Sequence, residues 1–180
     1  MSDKVKGGAR EKVIQAAEEL AWEAGPNNMS LDAVAARAGV SKGGLLYHFP
    51  SKARLLQALV ETFVERFDAD LAEREREEAH TANSTARAYL DLFLREHDCN
   101  LRPPAGVLAA LAENPDLLDP VRRHQRILLD RMKQTASDPT VAVIVFLCLQ
   151  GLKSMELLAT DTVDEAEFEA VTKKLAEMLL

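Results

Sequence analysis

Apolar residues recur along the chain at intervals of three and four and do not alternate, a pattern that predicts helices throughout and no strand. Val13, Ile14, Ala17, Leu20 and Ala21 share one face of a first helix, which Gly25-Pro26 ends. Ser30 is placed to cap a short second helix bearing Leu31, Val34, Ala35 and Ala38, and Gly39 supplies a left-handed residue to stop it. Ser41 caps a third short helix that carries Leu45, Leu46 and Tyr47 up to Phe49-Pro50. After Ser51 a long fourth helix has Leu55, Leu56, Leu59, Val60, Phe63, Phe67 and Leu71 on one broad face and runs to about Ala79. At about 1.5 Å per residue it is roughly 40 Å long, enough to leave one small domain and enter another.

The same period returns in Tyr89, Leu90, Phe93 and Leu94, in Val107, Leu108 and Leu111, and in Val121, Leu128 and Met132, with breaks at Pro103-Pro104, Asn114-Pro115 and Asp138-Pro139. Two last segments, Thr140 to Ala159 and Asp164 to Leu180, complete an all-helical chain, the second opening with Asp164 and Glu167 at capping-box spacing. Between Thr140 and Ala159 the apolar side chains surround the helix, so two surfaces need covering. A second subunit can cover one of them, which makes Val145, Leu149, Leu152, Phe168, Val171 and Leu175 the expected dimer interface. A central core helix of a monomer is the alternative.

Composition adds limits. The 180 residues carry 22 Lys and Arg against 29 Asp and Glu, for a net charge of −7, and 47% are apolar, too hydrophobic for a disordered chain. Charge is uneven: up to Val60 there are Lys4, Lys6, Arg10, Lys12, Arg37, Lys42, Lys52 and Arg54 against six acids, whereas the remainder is strongly acidic. Overall acidity argues against nucleic acid as a general partner but says little about a basic face at one end. Cys99 and Cys148 form no C-x-x-C pair, the longest apolar run (Val141 to Leu149) falls short of a membrane span, and the first residues lack a secretion signal. These features point to a soluble cytoplasmic protein.

The most informative stretch runs from residue 30 to residue 52. Two short helices joined through Ala38-Gly39-Val40-Ser41 make a helix-turn-helix pattern, whose second helix is free to enter a DNA major groove. An ordinary corner in a helical bundle has the same turn, and the side chains separate the two readings. Ser41, Lys42, Gly43, Gly44, Tyr47 and His48 fall on the exposed side of the second helix, with Val40, Leu45, Leu46 and Phe49 on the buried side. Two successive glycines cost roughly 1 kcal/mol each in a helix relative to Ala, a penalty that fits close approach of backbone to a ligand.

Three segments, Ile14-Gln15-Ala16-Ala17, then Ser30-Leu31-Asp32-Ala33-Val34-Ala35-Ala36-Arg37-Ala38-Gly39-Val40-Ser41-Lys42-Gly43, then Tyr47-His48-Phe49-Pro50-Ser51-Lys52, resemble the tetracycline-repressor (TetR) family of bacterial transcription regulators. The resemblance covers about the first third of the chain. It implies an all-α fold with a three-helix DNA-binding domain over residues 1–53, a helical ligand-binding and dimerisation domain over 54–180, a homodimer, and no catalysis. It also implies a repressor that binds double-stranded operator DNA and is released by a small-molecule effector. By position, Lys42, Gly43 and Gly44 match groove-facing residues, and Tyr47, His48 and Lys52 match phosphate contacts, with Ser30 and Ser41 at helix starts beside them. Gly44 departs from relatives that carry Thr, Ser or Ala there, so one side-chain contact is missing. Lys4, Lys6 and Arg10 form either a minor-groove arm or a flexible charged terminus.

For an effector pocket the candidates are Tyr89, Phe93, His97, Met132 and Gln150, which fall on the middle helices where bundles host ligands, although core packing explains them equally. His97-x-Cys99 offers two potential metal ligands without a third, so no metal is expected, and no residue set calls for a cofactor. No paired base and nucleophile or phosphate loop points to an enzyme. The competing function class is a helical adaptor that keeps the motif as scaffold.

Overall fold

The computed structural model describes residues 8–24, 29–77, 81–99, 105–158, 160 and 162–180. Lys4, Lys6, Gly25-Pro26, Ala79, Pro103-Pro104 and Ala159 lie outside the described residues. The described chain is helical and contains no strand. In order the helices are α1 (Ala9–Ala24), α2 (Leu31–Ala38), α3 (Lys42–His48), α4 (Lys52–Glu77), α5 (Ser84–Asp98), α6 (Ala105–Glu113), a 3-10 turn (Pro115–Leu118), α7 (Asp119–Thr135), α8 (Pro139–Leu158) and α9 (Glu165–Met178).

Local chemistry sets several of the boundaries. Ser30 Oγ accepts from the Ala33 amide at 3.2 Å, Ser41 Oγ from Gly44 at 3.1 Å and Ser51 Oγ from Arg54 at 3.2 Å. Each such bond satisfies an amide that the helix cannot, and removing it costs about 1 kcal/mol. At the start of α9 the Asp164 and Glu167 side chains accept reciprocally from each other's amides at 2.8 and 3.0 Å, closing a capping box. Gly39 ends α2 at φ +66°, and its amide and that of Val40 close onto Ala36 and Ala35 carbonyls.

Contacts divide the chain into two units, Met1–Glu65 with Pro104–Arg122, and Arg66–Pro103 with Arg123–Leu180. The first is built on Val13, Ile14 and Ala17 of α1, Val34 of α2, Leu45 of α3 and Leu55, Leu56 and Leu59 of α4, all buried. Val107 and Ala110 of α6 complete that core, and a Cβ on Gly106 would stand only 2.9 Å from the Leu59 Cβ, so glycine allows α6 to lie against α4. Arg37 ties α2 to α1 with a forked ion pair to Glu23, at 2.6 and 3.1 Å, which holds the guanidinium pKa above its ordinary value. This contact partition lies elsewhere than the expected 53/54 boundary, because the first turns of α4 share their core with α1 to α3 and α6 joins them.

The second unit packs Phe67 and Leu71 of α4, Tyr89 and Phe93 of α5, Leu128 and Met132 of α7, Val145 and Leu149 of α8 and Leu175 of α9. Asn83, just before α5, is buried in a left-handed conformation (φ +62°) and binds across the unit to Ser137 and to the Leu179 carbonyl. The short apolar run seen in the sequence lies within α8, which has 20 residues and is, among the described residues, the one helix long and apolar enough to cross a membrane. Ala142, Val145, Phe146, Leu149 and Leu152 bury one side of it in the unit's own core.

Candidate nucleic-acid interface

Helix α3 stands on the first unit with Leu45 and Phe49 inward. Ser41, Lys42, Gly43, Gly44, Tyr47 and His48 are all exposed, Tyr47 by 85%. Leu46, expected on the buried side, is instead exposed, because a helix of two turns has room for few inward positions and Leu45 and Phe49 fill them. The Tyr47 and His48 rings meet edge to face with centroids 5.1 Å apart, presenting a hydroxyl and an imidazole on one surface. Around Gly43 there is open space, whereas a Cβ on Gly44 would approach the capping Ser41 Oγ to 3.2 Å. A side chain at the second position would press on the capping hydroxyl by a few tenths of an ångström, and the first glycine leaves a bare patch of helix.

Both lysines of this surface are held by carboxylates. Lys42 Nζ lies 2.9 Å from Asp32 of α2, and Lys52 Nζ, in the first turn of α4, lies 3.0 Å from Glu113 of α6. Such exposed pairs are worth about 0–1 kcal/mol, so a phosphate can displace either carboxylate. Beside α3 a recess of about 390 Å³ gathers Arg10, His48 and Arg54, with Glu61 and Gln57 on its wall. The Arg10 guanidinium stacks over Phe49 at 5.7 Å. Arg54, one of the basic residues of the first 60, follows the capping Ser51 and so has a local signal as part of this surface, whereas Asp32 and Glu113 come from other helices and have none.

In the second unit the expected pocket residues separate. Tyr89 and Phe93 are fully buried, and the Tyr89 hydroxyl accepts from Gln150 Nε2 at 3.1 Å, with Gln125 donating in turn to Gln150. Burial raises the Tyr89 pKa well above its ordinary value. Met132 is a fully buried core residue. His97 sits apart, stacked on Phe168 at 4.1 Å and bound to Glu156 at 2.9 Å, on the wall of a recess of about 110 Å³. Phe67 and Lys153 lie against Tyr89, with His124 edge-on to Phe67 and Glu96 bonded to Lys153, a cluster drawn from four helices that no local pattern marks. Among the described residues no group of three or more His, Cys, Asp or Glu is arranged to hold a metal ion.

The residues expected at the dimer interface divide between the core and the surface. Val145, Leu149, Leu152 and Leu175 face the core of their own chain and Phe168 packs partly against it, leaving Val171 as the exposed member of the set. The outward face of α8 is a stripe through Ile144, Leu147, Ser154 and Leu158, offset from the residues chosen. An all-round apolar helix gives no sign in its sequence of which face the monomer takes.

A capped helix-turn-helix that holds a short, glycine-bearing helix with its basic and hydroxyl residues outward, on an otherwise all-helical chain, is the architecture of a helix-turn-helix regulator. Residues 13–59 match the family described as bacterial regulatory proteins, tetR family, and residues 83–180 match the tetracyclin repressor-like C-terminal domain. The chain belongs to the TetR family. It is 37% identical over 59 residues to the HTH-type transcriptional regulator TtgR of Pseudomonas putida, a match covering 33% of this chain and 28% of that protein. It is 39% identical over 64 residues to the nucleoid occlusion factor SlmA of Serratia proteamaculans, covering 35% and 32%. The chain thus matches about a third or less of each relative's length. Across nearly the whole fold it resembles the multidrug binding protein EbrR complexed with malachite green, with a TM-score of 0.69, 24% identity, and 95% and 98% of the two chains covered.

Proposed function

We propose that the protein is a homodimeric transcriptional repressor that binds double-stranded operator DNA through α3 and is released by a small-molecule effector. The observation that carries this reading is the outward row Ser41, Lys42, Gly43, Gly44, Tyr47 and His48 on a helix anchored by Leu45 and Phe49. In this reading residues 1–53 supply the DNA contacts: Lys42, Gly43 and Gly44 face the groove, while Tyr47, His48 and Lys52 bind phosphates, with Ser30 and Ser41 at helix starts beside the backbone. Residues 54–180 supply effector binding and pairing, the effector sitting by Tyr89, Phe93 and Gln150.

Two copies joined through the outward stripe of α8, with Val171 of α9, bring two α3 helices to a two-fold operator whose half-sites lie about 34–36 Å apart. The apolar face of α8 is then covered by a second subunit rather than by lipid, in keeping with a cytoplasmic protein without catalytic activity. TtgR is named a transcriptional regulator and EbrR a multidrug binding protein, and this chain shares the first's helix-turn-helix region and the second's fold. Fluorescence anisotropy with a duplex from the region flanking its own gene tests the reading. Saturable, salt-sensitive binding that competes with bulk DNA is expected; equal affinity for every duplex, or none, would contradict it.

A further inference from the structure

Inside the second unit an ammonium group is surrounded by groups that recognise cations. Lys153 Nζ of α8 lies over the rings of Phe67, Tyr89 and Phe93, at 4.9, 5.5 and 6.0 Å from their centroids, and 2.8 Å from Glu96 Oε2. Ring faces within about 6 Å attract a cation through their quadrupoles, and the effect grows when water is excluded. The Lys153 side chain is three-quarters buried, at 25% exposure, and Tyr89 and Phe93 are fully buried. Tyr89 is fixed by its hydrogen bond from Gln150, and Phe67 is braced edge-on by Tyr89 at 5.7 Å and by His124 at 5.2 Å. The His124 Nε2 is buried and without a hydrogen-bond partner, so polar capacity in this part of the core goes unused.

We propose that Phe67, Tyr89, Phe93 and Glu96 form a receptor for an organic ammonium ligand, which Lys153 fills with its own side chain until the ligand displaces it. The proposal rests on the effector-responsive reading above and gives that effector a chemical class. Charge decides between cation and anion. An anion drawn to Lys153 would have to expel Glu96 and then face the electron-rich surfaces of three rings. A cation inherits both the carboxylate and the ring faces, and the net charge of the site is unchanged by the exchange. The long flexible stem of lysine can swing its head group to water while its methylenes stay against apolar surface. Replacing a buried ion pair by apolar groups of similar volume is often neutral or stabilising, so a pair as sheltered as Lys153–Glu96 is weak support for the fold and free for another role.

Isothermal titration of the full chain with benzyltrimethylammonium, and with benzylphosphonate as its anionic counterpart, tests the receptor directly. The ammonium is expected to bind and the phosphonate not. Lys153→Met, which removes the competing charge and keeps the stem, should tighten ammonium binding about tenfold or more, and Glu96→Gln should weaken it by a similar factor. If either variant fails to fold, the other decides alone. Failure of the ammonium to bind both the wild type and Lys153→Met overturns the proposal, as does phosphonate binding that Lys153→Met abolishes. Anisotropy of an operator duplex keeps the two readings apart: ammonium binding that leaves DNA affinity intact refutes effector control but not the receptor, and DNA release by other compounds with no ammonium binding refutes the receptor alone.

Discussion

Lys52 Nζ and Glu113 Oε2 lie 3.0 Å apart, joining the first residue of α4 to the last residue of α6. The lysine proposed to bind a DNA phosphate is therefore held by a carboxylate when no DNA is present. Binding must break that pair, so Glu113→Gln should raise operator affinity about twofold to fivefold, the range expected for releasing a partly exposed ion pair. The gain should vanish in the background of Lys52→Ala. Anisotropy titrations of the four proteins in this cycle measure it, and weaker binding by Glu113→Gln would show that the carboxylate positions the lysine instead.

Asn83 makes a prediction about stability. Its amide donates to the Leu179 carbonyl at 3.1 Å and its carbonyl oxygen accepts from the Ser137 amide at 3.1 Å, while its backbone holds φ +62°. Asn83→Gly keeps the backbone conformation and loses the side-chain bonds, at a cost of about 1–3 kcal/mol. Asn83→Ala adds the strain of a left-handed Cβ, roughly 1 kcal/mol more. Urea denaturation should rank them wild type, Gly, Ala; a glycine variant as unstable as alanine would mean the conformation is not strained.

His124 gives the second unit a pH response. Burial lowers its pKa below the ordinary value of 6.5, against the pull of Asp68, whose carboxylate lies 3.3 Å from Nδ1, and with the help of Arg131 and Lys153. Below about pH 6.5 the unfolded chain takes up a proton that the folded chain resists, so the stability contributed by neutral His124 is complete above that pH and is lost as pH falls through and below it. His124→Phe, which keeps the edge-on contact with Phe67, should reduce the drop in melting temperature between about pH 7.5 and pH 5.5. Equal drops in the two proteins would remove His124 as the cause.

Leu147, 61% exposed on the outward face of α8, is the test of subunit pairing. Leu147→Glu disturbs nothing inside a single chain yet places charge at the centre of the proposed interface. Sedimentation equilibrium should show a folded monomer at micromolar concentration, with operator affinity reduced by tenfold or more, at roughly 1.4 kcal/mol for each factor of ten. An unchanged dimer would move the interface to another face.

The features legible in the sequence are those written in neighbouring residues. Ser30, Ser41, Ser51 and the Asp164–Glu167 box mark helix starts because a cap reads only the next three residues, and Gly39 marks a stop because its left-handed conformation costs a side-chain-bearing residue about 1 kcal/mol that glycine avoids. Side chains facing one another across helices were not legible. Nothing near Lys52 announces Glu113, and nothing near Tyr89 announces Lys153 above its ring. For α8 the periodicity itself fails: with apolar residues all round, Val145 and Leu149 are as plausible outward as Ile144 and Leu147, and only the packing of α5, α7 and α9 chooses.

The central claim is that α3 and the start of α4 hold DNA by phosphate contacts, and salt dependence measures this most directly. Anisotropy titrations of an operator duplex at several salt concentrations yield a slope of log affinity against log salt for wild type and for Lys52→Ala. The account predicts weaker binding by the variant and a slope reduced by about one charge for each subunit's lysine. Identical affinity and slope in the two proteins would contradict it.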